Sequence, residues 1–140
     1  MKDVLGIVFA DDQHTKIGDL TNRRPLAAVP VAGRYRCIDF VLSDMVNSGM
    51  INIAVVTQNN YHSLMDHLGS GKAWNLSRKK YGLYLFPPYS SPYSTGYDNR
   101  IDILYSLLSY LKHSSQQYVI LSESNLVINA TFSKAFAHHL

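Results

Sequence analysis

The feature that most limits how this chain can fold is a series of short apolar runs separated by helical patterns. Val4–Ala10 reads VLGIVFA, Ile51–Thr57 reads INIAVVT and Tyr118–Ser122 reads YVILS. The first two, brief, rich in Val, Ile and Phe and without polar alternation, read as strands buried on both faces, and the third reads as a strand. A further run, YGLYLFPP, reads as another strand, stopped by Pro87 and Pro88. Between these runs the period changes. Ile38, Val41, Leu42, Met45 and Val46 predict a helix from Arg36 to a terminating Gly49, and Tyr61, Leu64, Met65 and Leu68 predict a short helix closed by Gly69. Ile101, Leu104, Tyr105, Leu108 and Leu111 predict the apolar face of one longer helix, and Thr131 could cap a last one. Strands alternating with helices imply an α/β fold with a mainly parallel sheet, covered on both faces. In such sheets ligands sit beyond the carboxyl ends of the strands, which here means 10–21, 57–61 and 122–125.

Composition narrows the class. The chain has 140 residues, 46% of them hydrophobic and 16% charged, which supports one cored domain, or part of one, and excludes a disordered chain. A net charge of +3 with no long basic run gives no reason to expect nucleic acid. The N-terminal stretch does not read as a signal peptide, and no run reaches membrane-spanning length, so a cytoplasmic protein without membrane partners is expected. The single cysteine, Cys37, reads as a small buried hydrophobe. The six histidines show no metal-ligand spacing, and Arg78, Lys79 and Lys80 read as a solvated loop.

The stretch LTNRRPLAAVPVAGRYRCIDFVLSDMVNSGMINIAVVTQ, Leu20–Gln58, resembles the N-terminal region of bacterial ADP-glucose pyrophosphorylase (glucose-1-phosphate adenylyltransferase). The similarity continues through GSG.AWNL and YVILS, so it covers nearly the whole chain. It implies a Rossmann-like nucleotidyltransferase domain, represented here (1–140) by its N-terminal part, with the rest of that domain and a following β-helix absent. The reaction it implies joins ATP and glucose 1-phosphate into ADP-glucose for glycogen synthesis.

The departures from the family pattern fall on its catalytic positions. The family's glycine-rich loop G-G-x-G-x-R-L aligns with Asp11 and Asp12 at its first two glycines, His14 at the third and Lys16 at its arginine. Its phosphate-reaching Lys-Pro pair falls on Leu26 and Ala27. Its Gly-Asp-His, whose aspartate holds magnesium, falls on Glu123, Ser124 and Asn125. Carboxylates beside a triphosphate repel it, by about 4 kcal/mol per contact near 4 Å at an effective dielectric constant of about 20. Leu26 supplies no charge, and Ser124 is a poor neutral ligand for Mg²⁺.

Each of these residues has a plainer reading. Asp11 and Asp12 are first of all turn caps or helix N-caps and only second metal ligands. Glu123 stands beside the missing aspartate, but adjacent strand residues point to opposite sides. Arg23, Arg24, Arg34 and Arg36 are a solvated basic loop or, as the resemblance implies for the pair after Leu-Thr-Asn, a site for a phosphorylated effector. The leading expectation is a catalytically deficient regulatory subunit with no cofactor of its own. It would assemble in a hetero-oligomer, a tetramer by the resemblance, with a Mg²⁺-dependent catalytic ADP-glucose pyrophosphorylase subunit. The alternatives are an active nucleotidyltransferase with an atypical loop and a stand-alone phosphometabolite-binding module.

Overall fold

The computed structural model is described for residues 1–10, 17–58, 60–87 and 99–140. Its centre is a four-stranded parallel sheet in the order β5–β4–β1–β6, built from β1 (Val4–Ala10), β4 (Asn52–Thr57), β5 (Gly82–Phe86) and β6 (Tyr118–Glu123). All seven residues of β1 are buried, as its uninterrupted apolar sequence requires for the strand with neighbours on both sides. β1 and β4 run in register from Leu5 opposite Asn52 to Ala10 opposite Thr57. β1 and β6 run from Val4 opposite Tyr118 to Phe9 opposite Glu123. A small antiparallel pair, β2 (Pro30–Val31) and β3 (Tyr35–Arg36), leads into the first helix.

The two faces of the sheet have separate cores. On one, Val4, Val8, Ile53 and Val55 meet Ile38, Val41, Leu42 and Met45 of α1 (Cys37–Asn47), Leu64 and Leu68 of α2 (His62–Leu68), and Phe136 of α5 (Ser133–His139). Helix α1 lies close on the sheet, because a Cβ built on Gly6 would fall 2.7 Å from Met45 Sδ. The start of α1 is fixed by Asp39, whose carboxylate accepts the backbone N–H of Arg36 at 3.0 Å. Its other oxygen lies 2.6 Å from His67 Nε2, which ties α2 to α1. On the opposite face, Leu5, Ile7, Phe9, Ala54 and Val56 pack against Ile103 and Leu107.

The helix over 101–111 differs from the sequence expectation in two ways. It is two helices, α3 (Arg100–Ser106) and α4 (Leu108–His113), joined at Leu107. The Ser106 hydroxyl donates to Ile103 O at 2.6 Å, a local bond that bends helices, and Leu107 at the joint is fully buried. The buried stripe is Ile103–Leu107, one turn apart, with Leu104 and Leu111 at its margin. Ile101 and Tyr105, assigned to the apolar face by their spacing, are each 76% exposed. The stretch 69–80, between α2 and β5, contains a short 3-10 turn at Lys72–Trp74 and buries Leu76.

Gly82, at the start of β5, is the tightest backbone approach in the sheet. Its φ is +119°, and an added Cβ would lie 2.3 Å from Leu76 O. Gly82→Ala is expected to destabilise the chain by at least about 1–3 kcal/mol, since both the conformation and the carbonyl resist a methyl group. Urea unfolding followed by circular dichroism will measure it, with Gly33→Ala as the comparison, where φ is +80° but no atom lies within 4 Å.

Candidate functional site

The register of β1, β4 and β6 brings the residues singled out at strand ends to one edge of the sheet. Ala10 and Thr57 are neighbours, as are Phe9 and Glu123. Ser124 follows directly, buried, with its N–H donating to Phe9 O at 3.1 Å. That bond extends the β1–β6 ladder by one step. Asp11, Asp12, His14 and Lys16 lie outside the described residues.

Glu123 is held by a partner that the sequence did not indicate. Both of its oxygens face the guanidinium of Arg100, at 2.6 Å from Nη1 and 2.8 Å from Nη2. The same guanidinium lies over the Phe9 ring, 4.3 Å from its centroid. Asn99 positions Arg100 by capping α3, accepting the N–H groups of Ile101 and Asp102 at 2.9 and 3.0 Å. A forked arginine–carboxylate pair therefore stands at the carboxyl ends of β1 and β6, where a metal-bound phosphate would need an open carboxylate. Among the described residues at this edge, neither Glu123, engaged on both oxygens, nor neutral Ser124 offers Mg²⁺ an open carboxylate. Among the described residues, no group of three or more His, Cys, Asp or Glu side chains could hold a metal ion.

Leu26 is buried in a 3-10 turn, Leu26–Ala28, and packs with Val29, Val31 and Cys37. It is anchored as a core residue, away from water, which explains why an apolar side chain is tolerated at this position. Burial, reinforced by the charge of Asp39, pushes the Cys37 thiol up and makes it less ready to ionise.

The four arginines divide. Arg23 and Arg24 line a cleft of about 430 Å³ with Asp19, Leu20, Asn22 and Pro30. Arg34 is exposed in the turn between β2 and β3. Arg36 reaches α2, where its Nη1 donates to Ser63 O at 2.6 Å and to Ser63 Oγ at 3.0 Å. Arg23 and Arg24 thus share one cleft with the opposing charge of Asp19. Arg36 is instead occupied in joining α1 to α2.

A crossover-connected parallel sheet with a crevice beyond β1 and β6 is the architecture of nucleotide-handling α/β domains. The chain belongs to the nucleotidyl transferase family, whose sequence profile matches residues 5–140. It is ADP-glucose pyrophosphorylase-like. It is 40% identical over 136 residues to the glycogen biosynthesis protein GlgD of Bacillus subtilis, covering 97% of this chain and 40% of that protein. It is 36% identical over 141 residues to the glucose-1-phosphate adenylyltransferase of Fervidobacterium nodosum, covering all of this chain and 34% of that enzyme. The chain therefore spans well under half the length of these relatives. A crystal structure of a putative glucose-1-phosphate thymidylyltransferase from Bacillus anthracis superposes with a TM-score of 0.73 at 12% identity, covering 97% of this chain and 50% of the other, and so shares the fold. Among the described residues, no helix is long and apolar enough to cross a membrane.

The Arg100–Glu123 side chains are 39% and 46% exposed, so water screens the pair substantially. A double-mutant cycle of Arg100→Ala and Glu123→Ala, read by urea unfolding, is expected to give a coupling of about 0.5–1 kcal/mol that shrinks in high salt. Strict additivity of the two substitutions would remove the pair as a stabilising contact.

Proposed function

We propose that this chain is the N-terminal part of a catalytically deficient, regulatory subunit of glucose-1-phosphate adenylyltransferase, acting in cytoplasmic glycogen biosynthesis beside an active partner subunit. The observation that carries this reading is the state of the strand ends. Nucleotidyl transfer is mostly positioning and electrostatic stabilisation of a triphosphate by amides, a cation and Mg²⁺. At the carboxyl end of β6 this chain has a buried serine and a glutamate forked onto Arg100, and Leu26 is committed to an apolar cluster. The similarity to GlgD, a glycogen biosynthesis protein, supports the pathway. Comparable similarity to adenylyltransferases keeps an active enzyme as the second reading.

Under the leading reading the whole protein, given ATP, Mg²⁺ and glucose 1-phosphate, forms no ADP-glucose by itself. Each missing catalytic group typically costs about 10²-fold or more in turnover. Changing Asp11, Asp12 and His14 to glycine should admit ATP, seen as a ligand-dependent rise in thermal stability, without restoring product. Product should require Leu26→Lys and Ser124→Asp as well, together with release of Glu123 from Arg100. Turnover by the purified homomer would establish the second reading.

Arg23 and Arg24 are proposed to receive the phosphate of an effector, since paired guanidinium groups match phosphate oxygens. In the enzyme assembled with its catalytic partner, Arg23→Ala with Arg24→Ala should raise the effector concentration for half-activation about ten- to a hundredfold, the equivalent of about 1.5–3 kcal/mol, and leave assembly unchanged. Activation curves and size-exclusion profiles measure the two parts separately. An unchanged curve would make this a solvated loop.

A further inference from the structure

At the opposite end of the sheet from the strand-end crevice, where β4 and β5 begin, lies a second cleft of about 270 Å³. Lys79, Lys80, Tyr81, Tyr84, Tyr110 and His113 line it, with Asn52 and Ser114. The seven residues of β1 put the two ends of the sheet about 20 Å apart. No carboxylate lines this cleft, and neither lysine meets one among the described residues. Asp3 exerts a small opposing charge at Tyr81. We propose that this cleft binds a phosphate-bearing small molecule, held by Lys79 and Lys80 with the Tyr84 hydroxyl as a further donor.

Three features make it a built site and not a chance basic surface. Its floor is fixed: Asn52 is 2% exposed, accepts the Tyr110 hydroxyl at 2.8 Å and donates to Gln116 Oε1 at 3.0 Å. Its wall is an aromatic stack in which the Tyr110 ring centroid lies 5.3 Å from that of Tyr84 and 5.0 Å from that of Phe86. Burial pushes the Tyr110 phenol up, so it stays a neutral donor.

The third feature is a strained backbone. Tyr81 has φ +66° and is followed directly by Gly82 at +119°. A large aromatic residue in the left-handed region is costly and persists where its surroundings hold it. Here they do so at the mouth of the cleft. The Tyr81 hydroxyl lies 2.6 Å from Ser115 Oγ, and Lys80 Nζ sits 5.1 Å from the Tyr81 ring centroid. The hydrogen bond with Ser115, aided by Lys80, draws the Tyr81 phenol below its ordinary value. Arg78, the remaining member of the basic run, turns back to Asn75 O at 3.1 Å and does not join the lining. Lysine ammonium groups are compact point charges suited to phosphate, and a cleft without carboxylates leaves them uncompensated until an anion arrives.

Calorimetric titration of inorganic pyrophosphate into the chain tests the site. The parent should show saturable binding that survives Arg23→Ala with Arg24→Ala, which separates it from the arginine cleft. Lys79→Gln with Lys80→Gln should weaken that binding about tenfold or more, and Lys79→Arg with Lys80→Arg should retain it. Amide shifts in the parent should concentrate on Tyr81, Gly82, Tyr84 and His113, a readout that needs no variant to fold. Absence of saturable binding overturns the proposal. So does binding unchanged by the glutamine pair, or shifts confined to Arg23 and Arg24.

Discussion

The close approach of α1 to the centre of β1 sets where both clefted regions at the carboxyl side of the molecule lie. Met45 rests where a side chain on Gly6 would be, so the helix sits low on the sheet, and its two ends become fixed points. At its start, Asp39 caps the helix and gathers His67, while Arg36 reaches Ser63, so α2 is drawn in beside it. The preceding 3-10 turn and β-hairpin then hang from that end, with the Leu26 cluster beneath and Arg23 and Arg24 on the rim. At its far end the Ser48 hydroxyl accepts Phe132 N–H at 2.9 Å, which moors the segment leading to α5. A bulkier residue at position 6 would lift all of this at once.

The chemistry of the strand-end crevice follows from substituting internal charge pairing for ligand binding. A nucleotide-handling site usually leaves carboxylates and amides facing an open crevice, where they are poised for a metal and phosphates. In this chain the glutamate at that edge meets an arginine from α3, and the aromatic ring of Phe9 lies beneath the guanidinium. The charge of the glutamate is met within the protein.

How much of this was legible in the sequence depended on the range of the interactions. β1 and β4 could be read because burial on both faces leaves an unbroken apolar run, and α1 because Ile38, Val41, Leu42 and Met45 all face one core, whereas the equally apolar β6 leaves Val119 and Leu121 about half exposed. The face of α3 and α4 could not. Apolar residues surround that helix pair on several sides, and only the position of the sheet decides that Ile103 and Leu107 go inward while Tyr105 stays in water. The motif positions Leu26 and Ser124 were visible by resemblance, and burial in the structure gives each a physical setting. The Arg100–Glu123 fork and the Tyr81 backbone left no local signal. The first joins residues distant in sequence, and the second is a conformation that tyrosine's own preferences oppose.

The central place of β1 has a consequence for how the chain comes into being. β1 is the first strand to leave the ribosome, yet its partners are Asn52–Thr57 on one side and Tyr118–Glu123 on the other. Its β6 side must therefore wait, unpaired, while more than a hundred further residues are made. Parallel pairing across such separations closes large loops before any contact rewards it, so the sheet forms late and slowly. During synthesis the nascent chain presents Val4–Ala10 as a bare, sticky strand, the kind of segment that chaperones cover until its neighbours arrive.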